Sequence, residues 1–87
     1  MSANFTKGLF YINLQGADLT NANLSGVRLG RANFRYAIFE GANLQDADLT
    51  DAENLEPSQL QQAINWHLAH YSETLKQKLG LHFKQTP

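Results

Sequence analysis

Residues 12–51 divide into eight consecutive units of five residues, which read INLQG, ADLTN, ANLSG, VRLGR, ANFRY, AIFEG, ANLQD and ADLTD. The third residue of each unit is Leu or Phe, namely Leu14, Leu19, Leu24, Leu29, Phe34, Phe39, Leu44 and Leu49. The first residue is Ala in six units, and the second is Asn or Asp in six. An unbroken period of this kind indicates stacked repeats instead of an ordinary globular core.

A period of five residues does not suit a helix. Residues five apart on an α-helix are rotated by about 140°, so the Leu and Phe side chains would be scattered around every face. On extended backbone, Ala17 and Leu19 point inward together while Asp18 points outward. The chain must then turn once per unit to bring Ala22 and Leu24 back inside. The pattern predicts short edges joined by corners and wound into a coil, and it leaves the number of corners per coil open.

The pattern of a small residue, Asn or Asp, Leu or Phe and two variable residues resembles that of the pentapeptide-repeat proteins, which are abundant in cyanobacteria. The resemblance covers residues 12–51 without a gap. It implies an all-β solenoid, a right-handed quadrilateral β-helix with four units per coil and the Leu or Phe side chains along its axis. Residues twenty apart would then lie on top of one another.

Stacking with this period has a consequence for charged residues. Arg28 would lie beneath Asp48, and Arg31 beneath Asp51. We expect these two opposite-charge pairs to form a solvated salt-bridge ladder, each pair contributing about 0.2–1 kcal/mol. A three-sided coil would instead place Arg28 beside Asn43, and the four-sided arrangement fits the charges better.

Both ends of the repeat depart from its register. Phe10 and Leu14 are four residues apart instead of five, so we expect residues 1–11 to form an irregular N-terminal coil or cap. Asn54 stands where a Leu belongs, and Pro57 follows soon after. Because Pro suits the first turn of a helix, we expect the β-helix to span residues 12–56.

The segment 57–81 reads as a helical cap on the open end of the coil, followed by a tail at 82–87. Apolar residues at helical spacing predict an amphipathic helix of about four turns, with Leu60, Ala63, Ile64, Leu68 and Tyr71 on its apolar side. Its solvent side would carry Gln59, Gln61, Gln62, Asn65 and His67. Ser72 would cap a second, short helix that ends at Gly80. This segment also resembles a tail that follows pentapeptide repeats in many cyanobacterial proteins.

Length and composition limit the class of protein. The sequence has 87 residues, a formal net charge of −1 and no cysteine. Its length predicts one domain, and the lack of cysteine excludes disulfides and thiolate chemistry. A nearly neutral chain has no global field that would attract nucleic acid or an anionic membrane surface. We see neither a signal peptide nor an apolar run long enough to span a bilayer, so we expect a cytoplasmic protein.

Two groups of residues have side chains that could bind a metal ion. His67 and His70 have a spacing that would suit two ligands on one helix, but no cysteine accompanies them. Asp46, Asp48 and Asp51 form an acidic cluster that faces the arginines. Surface histidines and salt-bridged aspartates are the favoured interpretations, and we expect no metal, no cofactor and no catalytic residues.

The remaining departures from the repeat suggest a contact patch. Ile38 occupies an outward position that usually holds Asn or Asp, and Tyr36 and Arg35 lie beside it. Trp66 is a further candidate if it does not pack on the coil. Aromatic, aliphatic and Arg side chains together are typical of protein interfaces, although single exposed apolar residues are also common on monomers.

These observations favour a non-enzymatic structural or protein–protein interaction module whose partner the sequence does not identify. End-to-end stacking of two chains at the N-terminal end is a further expectation. The resemblance offers one alternative, since some members imitate a DNA duplex and interact with DNA gyrase. That role needs a long acidic rod, and residues 12–51 carry five acids against three arginines.

Overall fold

Parallel pairing between residues twenty apart dominates the fold in the computed structural model, which describes residues 12–81. Isolated parallel bridges join Asn13 to Asn33, Asp18 to Ile38, Asn23 to Asn43 and Arg28 to Asp48. A turn follows almost every bridge up to residue 51, so this part of the described chain contains single bridges and no longer strand. Pairing of Arg28 with Asp48 excludes the three-sided alternative.

The backbone therefore stacks in layers, which we number as residues 12–31, 32–51 and 52–71. The N–H of Leu14 donates to the carbonyl oxygen of Asn33 in the layer above, with 2.8 Å between nitrogen and oxygen. The N–H of Asn33 donates in the opposite direction to Ile12, also at 2.8 Å. The same two bonds recur on all four sides of the first two layers. Each layer thus satisfies the backbone groups of its neighbour.

The second residue of a unit holds the corner wherever it is Asn or Asp. The side-chain oxygen of Asn13 accepts from the N–H of Gln15 at 3.0 Å, and that of Asp18 from Thr20 at 3.1 Å. The same contact is made by Asn23, Asn33, Asn43 and Asp48. Asn and Asp are suited to this turn because their oxygen reaches the N–H two residues later. Asn or Asp at this position therefore makes the corner bond and also presents a polar side chain to solvent.

Three of the four corners need a left-handed residue. The residues with positive φ in the first two layers are Gly16, Asn21, Gly26, Tyr36, Gly41 and Asp46, with φ between 61° and 72°. Arg31 and Asp51, at the fourth corner, are not among them. Gly, Asn and Asp tolerate this conformation, whereas a bulky side chain seldom adopts it. Tyr36 is therefore the exception.

The second layer supplies the centre of the core. Phe34, Phe39, Leu44 and Leu49 are fully enclosed, and the ring centroids of Phe34 and Phe39 are 5.2 Å apart. Leu24 and Leu29 of the first layer are also buried, while Leu14 and Leu19 are half-buried against them. The small first residues of the second layer are buried as well, namely Ala32, Ala37, Ala42 and Ala47. The second layer is best shielded because a layer packs on each side of it.

The predicted four-turn helix is wrong. The chain instead forms α1 (Pro57–Leu60), a single 3₁₀ turn (Trp66–Leu68) and α2 (Glu73–Lys78). Between them, Ile64 bridges to Asn43 and His70 bridges to Asp48. The chain thus completes a third layer. Ile64 lies one residue beyond the twenty-residue register with Asn43, and His70 lies two residues beyond the register with Asp48. Its apolar spacing is compatible with a helix, but the exposed backbone groups of the second layer require partners.

The short helix α2 agrees with the sequence prediction. The hydroxyl of Ser72 accepts from the N–H of Leu75 at 3.2 Å, and Gly80 has a φ of 74°. Leu75 and Leu79 are buried in the same apolar cluster as the layers. No helix within residues 12–81 is long and apolar enough to cross a membrane. The predicted N-terminal cap at 1–11 and tail at 82–87 lie outside the described residues.

Candidate interaction surface

A groove of about 310 Å³ lies where the second layer meets α1. It is lined by Arg35, Tyr36, Asn54, Glu56, Ser58 and Gln59. Arg35 and Tyr36 are among the contact residues predicted from the sequence, whereas the other four are not. The groove thus combines one aromatic ring, one cation and one carboxylate with neutral polar side chains.

The groove exists because α1 replaces the extended edge of the third layer on this side. The side-chain nitrogen of Gln59 donates to the carbonyl oxygens of Phe34 and Ala37, at 3.0 and 2.9 Å. Its side-chain oxygen accepts from the N–H of Glu56 at 2.7 Å. The prediction that Gln59 faces solvent is wrong, since the residue is half-buried and bonded to the second layer. Its spacing of three from the residue before Pro57 is a capping signal that could have identified it.

Tyr36 combines exposure with an unfavourable backbone conformation. Its φ is 64° and its side chain is among the exposed large apolar groups, with 69% of the residue accessible. A left-handed conformation costs about 1–2 kcal/mol for a residue other than Gly, Asn or Asp. Gly16 and Asn54 are also left-handed near the same corner in the adjacent layers. The corner imposes the conformation, and Tyr36 is the residue least suited to it.

Arg35 holds the Tyr36 ring from one side. Its guanidinium carbon lies 5.0 Å from the ring centroid, and Nη2 donates to the Tyr36 hydroxyl at 3.2 Å. Ile38 follows on the next side of the same layer and is 47% exposed. We call Arg35, Tyr36 and Ile38 together the Tyr36 surface. The structure places these three predicted residues within a single stretch of the second layer.

Trp66, the fourth predicted contact residue, lies elsewhere. It belongs to the third layer, where it is half-buried and packs against the apolar cluster. Its carbonyl oxygen accepts a hydrogen bond from the hydroxyl of Tyr71 at 2.6 Å. Trp66 therefore packs on the layers, and it is not a free anchor for a partner.

The predicted salt-bridge ladder is wrong. Arg28 and Asp48 are paired through their backbones, but neither Arg28–Asp48 nor Arg31–Asp51 is an ion pair in the described part of the chain. The Asp48 carboxylate instead accepts from the hydroxyl and the N–H of Thr50, at 2.6 and 3.1 Å. The bond from the Thr50 hydroxyl is the main reason why the pKa of Asp48 is lowered. Arg28 and His70 lower this pKa as well, through space and less than the Thr50 hydroxyl does.

The two histidines are not arranged as ligands on one helix. His67 lies in the 3₁₀ turn, whereas His70 is extended and bridges to Asp48. Asp46 is a left-handed corner residue on the layer below. Among residues 12–81, no group of three or more His, Asp or Glu side chains could hold a metal ion.

Comparison with known proteins identifies the repeats. A family model described as pentapeptide repeats matches residues 12–51 in eight copies. Residues 12–51 are therefore pentapeptide repeats. The boundaries of the match are those of the eight units predicted from the sequence. No curated protein matches the chain. Within the pentapeptide repeats, Ile38 and Arg28 take the place of the Asn or Asp that holds the corner elsewhere.

Proposed function

We propose that this chain is a non-enzymatic interaction module, in which a right-handed quadrilateral β-helix presents the Tyr36 surface to a protein partner. The observation that carries the proposal is the exposed Tyr36 ring on a left-handed backbone. A residue retained against its backbone preference points to a role for its side chain. Gly16, at the same corner one layer below, shows that the fold itself has no need of an aromatic residue there.

The chemistry of the surface agrees with this role. Tyr and Arg are enriched at the centres of protein interfaces, and the Arg35 side chain is already ordered against the Tyr36 ring. Because the layers beneath are joined backbone to backbone, little freedom is lost when a partner binds. Ile38 adds apolar area beside the ring, and the groove next to α1 offers room for a partner side chain.

The alternative role, imitation of DNA in a complex with gyrase, receives less support. Three layers at about 4.8 Å each form a stack only about 15 Å high. Arginines offset three of the five acids in the repeats, so the stack lacks the uniform negative charge of a duplex. Inhibition of gyrase supercoiling by the purified chain would favour this alternative over ours.

Affinity capture from the native host, followed by substitution of Ile38, tests the proposal. Ile38→Asn removes the apolar side chain and supplies the corner bond that six of the units have, so the fold should be retained while the partner is lost. Ile64→Asn is the matched control, because Ile64 is 53% exposed on a different side. Retention of the partner by Ile38→Asn, or failure of the wild-type chain to retain any protein, would contradict the proposal.

A further inference from the structure

A second surface carries an ordered arrangement of charge. On the side of the stack that contains Arg28, the first layer presents Arg28 and, at the adjoining corner, Arg31, and the second layer presents Asp48 and Asp51 at the corresponding positions. Arg28 and Asp48 are a bridged pair, and the bridge between Asn33 and Asn13 extends the same register beyond the corner. A basic row therefore lies one layer, about 4.8 Å, below an acidic row.

The two rows are not joined by direct ion pairs in the described part of the chain. Asp48 is instead bonded to Thr50 of its own corner. Charges of opposite sign thus lie in adjacent rows on a rigid surface, with Arg28, Arg31 and Asp51 exposed and Asp48 half-buried.

We propose that this side pairs with the same side of a second copy of the chain, the two stacks running antiparallel. A two-fold axis in the interface, perpendicular to the stacking direction, exchanges the first layer with the second. It places Arg28 opposite Asp48 of the second copy and Arg31 opposite Asp51 of the second copy. Each contact occurs twice, so the interface contains four opposite-charge contacts.

Charge also selects this orientation over its alternative. A two-fold axis parallel to the stacking direction would keep each layer level with itself. The arginines would then face the arginines of the second copy, and the aspartates would face its aspartates. Like charges in register oppose association, whereas the antiparallel arrangement makes every contact favourable. Because the contacts lie at the surface, the dimer should weaken as salt is added.

Reciprocal charge reversal at Arg31 and Asp51 tests the proposal. Both side chains are exposed, and neither residue holds a left-handed corner, so substitution should leave the fold intact. In sedimentation at low salt we expect the wild-type chain to dimerise with rising concentration. Arg31→Asp alone and Asp51→Arg alone each create two like-charge contacts and should weaken the dimer about tenfold or more.

An equimolar mixture of the two variants should dimerise again. In the mixed dimer, Asp at 31 meets Arg at 51 and the unchanged Arg31 meets the unchanged Asp51, so both contacts are opposite in sign. Glu40→Arg reverses a charge at an exposed position on the opposite side of the stack, and Lys78→Asp reverses one at an exposed position in α2, so both should leave the dimer unchanged. Circular dichroism establishes that every variant is folded.

Three results would overturn the proposal: a wild-type chain that stays monomeric at low salt, single variants that dimerise as well as the wild type, and a mixture that is no stronger than its components. The test is independent of the proposed partner surface. Ile38→Asn should dimerise as the wild type does, so either proposal can fail without the other.

Discussion

The side-chain nitrogen of Gln59 donates a hydrogen bond to the carbonyl oxygen of Ala37 at 2.9 Å. Among the described residues, no backbone N–H of the third layer donates to this carbonyl. On the other three sides, the corresponding carbonyls accept from backbone N–H groups, in the pairs Ala32–Glu53, Ala42–Ile64 and Ala47–His70. One side chain therefore substitutes for a missing edge of the third layer. It allows α1 to replace extended backbone without leaving the second layer unsatisfied.

Loss of the Gln59 amide should destabilise the protein. Gln59→Leu leaves the carbonyls of Phe34 and Ala37 without this donor, and we expect a loss of about 2–3 kcal/mol in the free energy of unfolding. Gln59→Glu should behave similarly at neutral pH, because an ionised carboxylate cannot donate. Chemical denaturation measures both, and Gln61→Leu, at an exposed neighbouring position, is the control with a change below about 0.5 kcal/mol. Equal stability of the Gln59 and Gln61 variants would exclude a role for the amide.

Relief of the Tyr36 backbone should stabilise the fold. Tyr36→Asn places a residue that tolerates positive φ at the corner, and we expect a gain of about 1 kcal/mol. Arg31→Asn is the matched control: it occupies the same position in its unit, but its backbone is not left-handed, so no gain is expected. Thermal unfolding in high salt compares the two. If Tyr36→Asn were less stable than the wild type, the ring would have a structural role instead of the proposed binding role.

Two corner glycines should differ in their tolerance of alanine. Gly26 and Gly41 both have a φ of 71°, so alanine should cost about 1 kcal/mol at either position. A Cβ atom at Gly41 would also collide with the side chain of Asn21 in the layer below, whereas one at Gly26 meets nothing within 4 Å. Gly41→Ala should therefore lower the melting temperature more than Gly26→Ala. Adding Asn21→Gly should remove the difference, and a difference that persisted would place its origin elsewhere.

The corner bond of Asp48 should make stability depend on pH. The hydroxyl of Thr50 lowers the pKa of Asp48 below its ordinary value of 3.8, with a smaller contribution from the Thr50 N–H. A pKa lowered by folding stabilises the protein above the ordinary pKa, and this contribution is lost as pH falls through the folded value. Thr50→Val should raise the pKa of Asp48 and reduce the stability lost in acid. NMR titration measures the first effect and denaturation across this pH range the second, with Thr74→Val in α2 as the control. An unchanged pKa in Thr50→Val would rule out the hydroxyl as its cause.

The sequence predicts correctly those features that depend on a repeated spacing or on neighbouring residues. The twenty-residue register, the cap at Ser72 and the stop at Gly80 all depend on residues close together in sequence or on a repeated spacing. The exposed pair Tyr36 and Ile38 was also visible as a departure from the repeat. The wrong predictions concern side chains whose partner the repeat pattern does not specify: Gln59 bonds to the second layer instead of facing solvent, and Asp48 bonds to Thr50 of its own corner instead of Arg28.

By itself, the sequence determined which side chains face the axis, because a Leu or Phe at every fifth residue can be buried only if the backbone turns once per unit. The tertiary structure alone decided the course of the chain after residue 56. There the apolar spacing suits a helix, yet the N–H and carbonyl groups along the top of the second layer must find partners. Ile64 and His70 supply them through the backbone, and Gln59 through its side chain, because an unbonded buried peptide group costs more than a short interruption of helix.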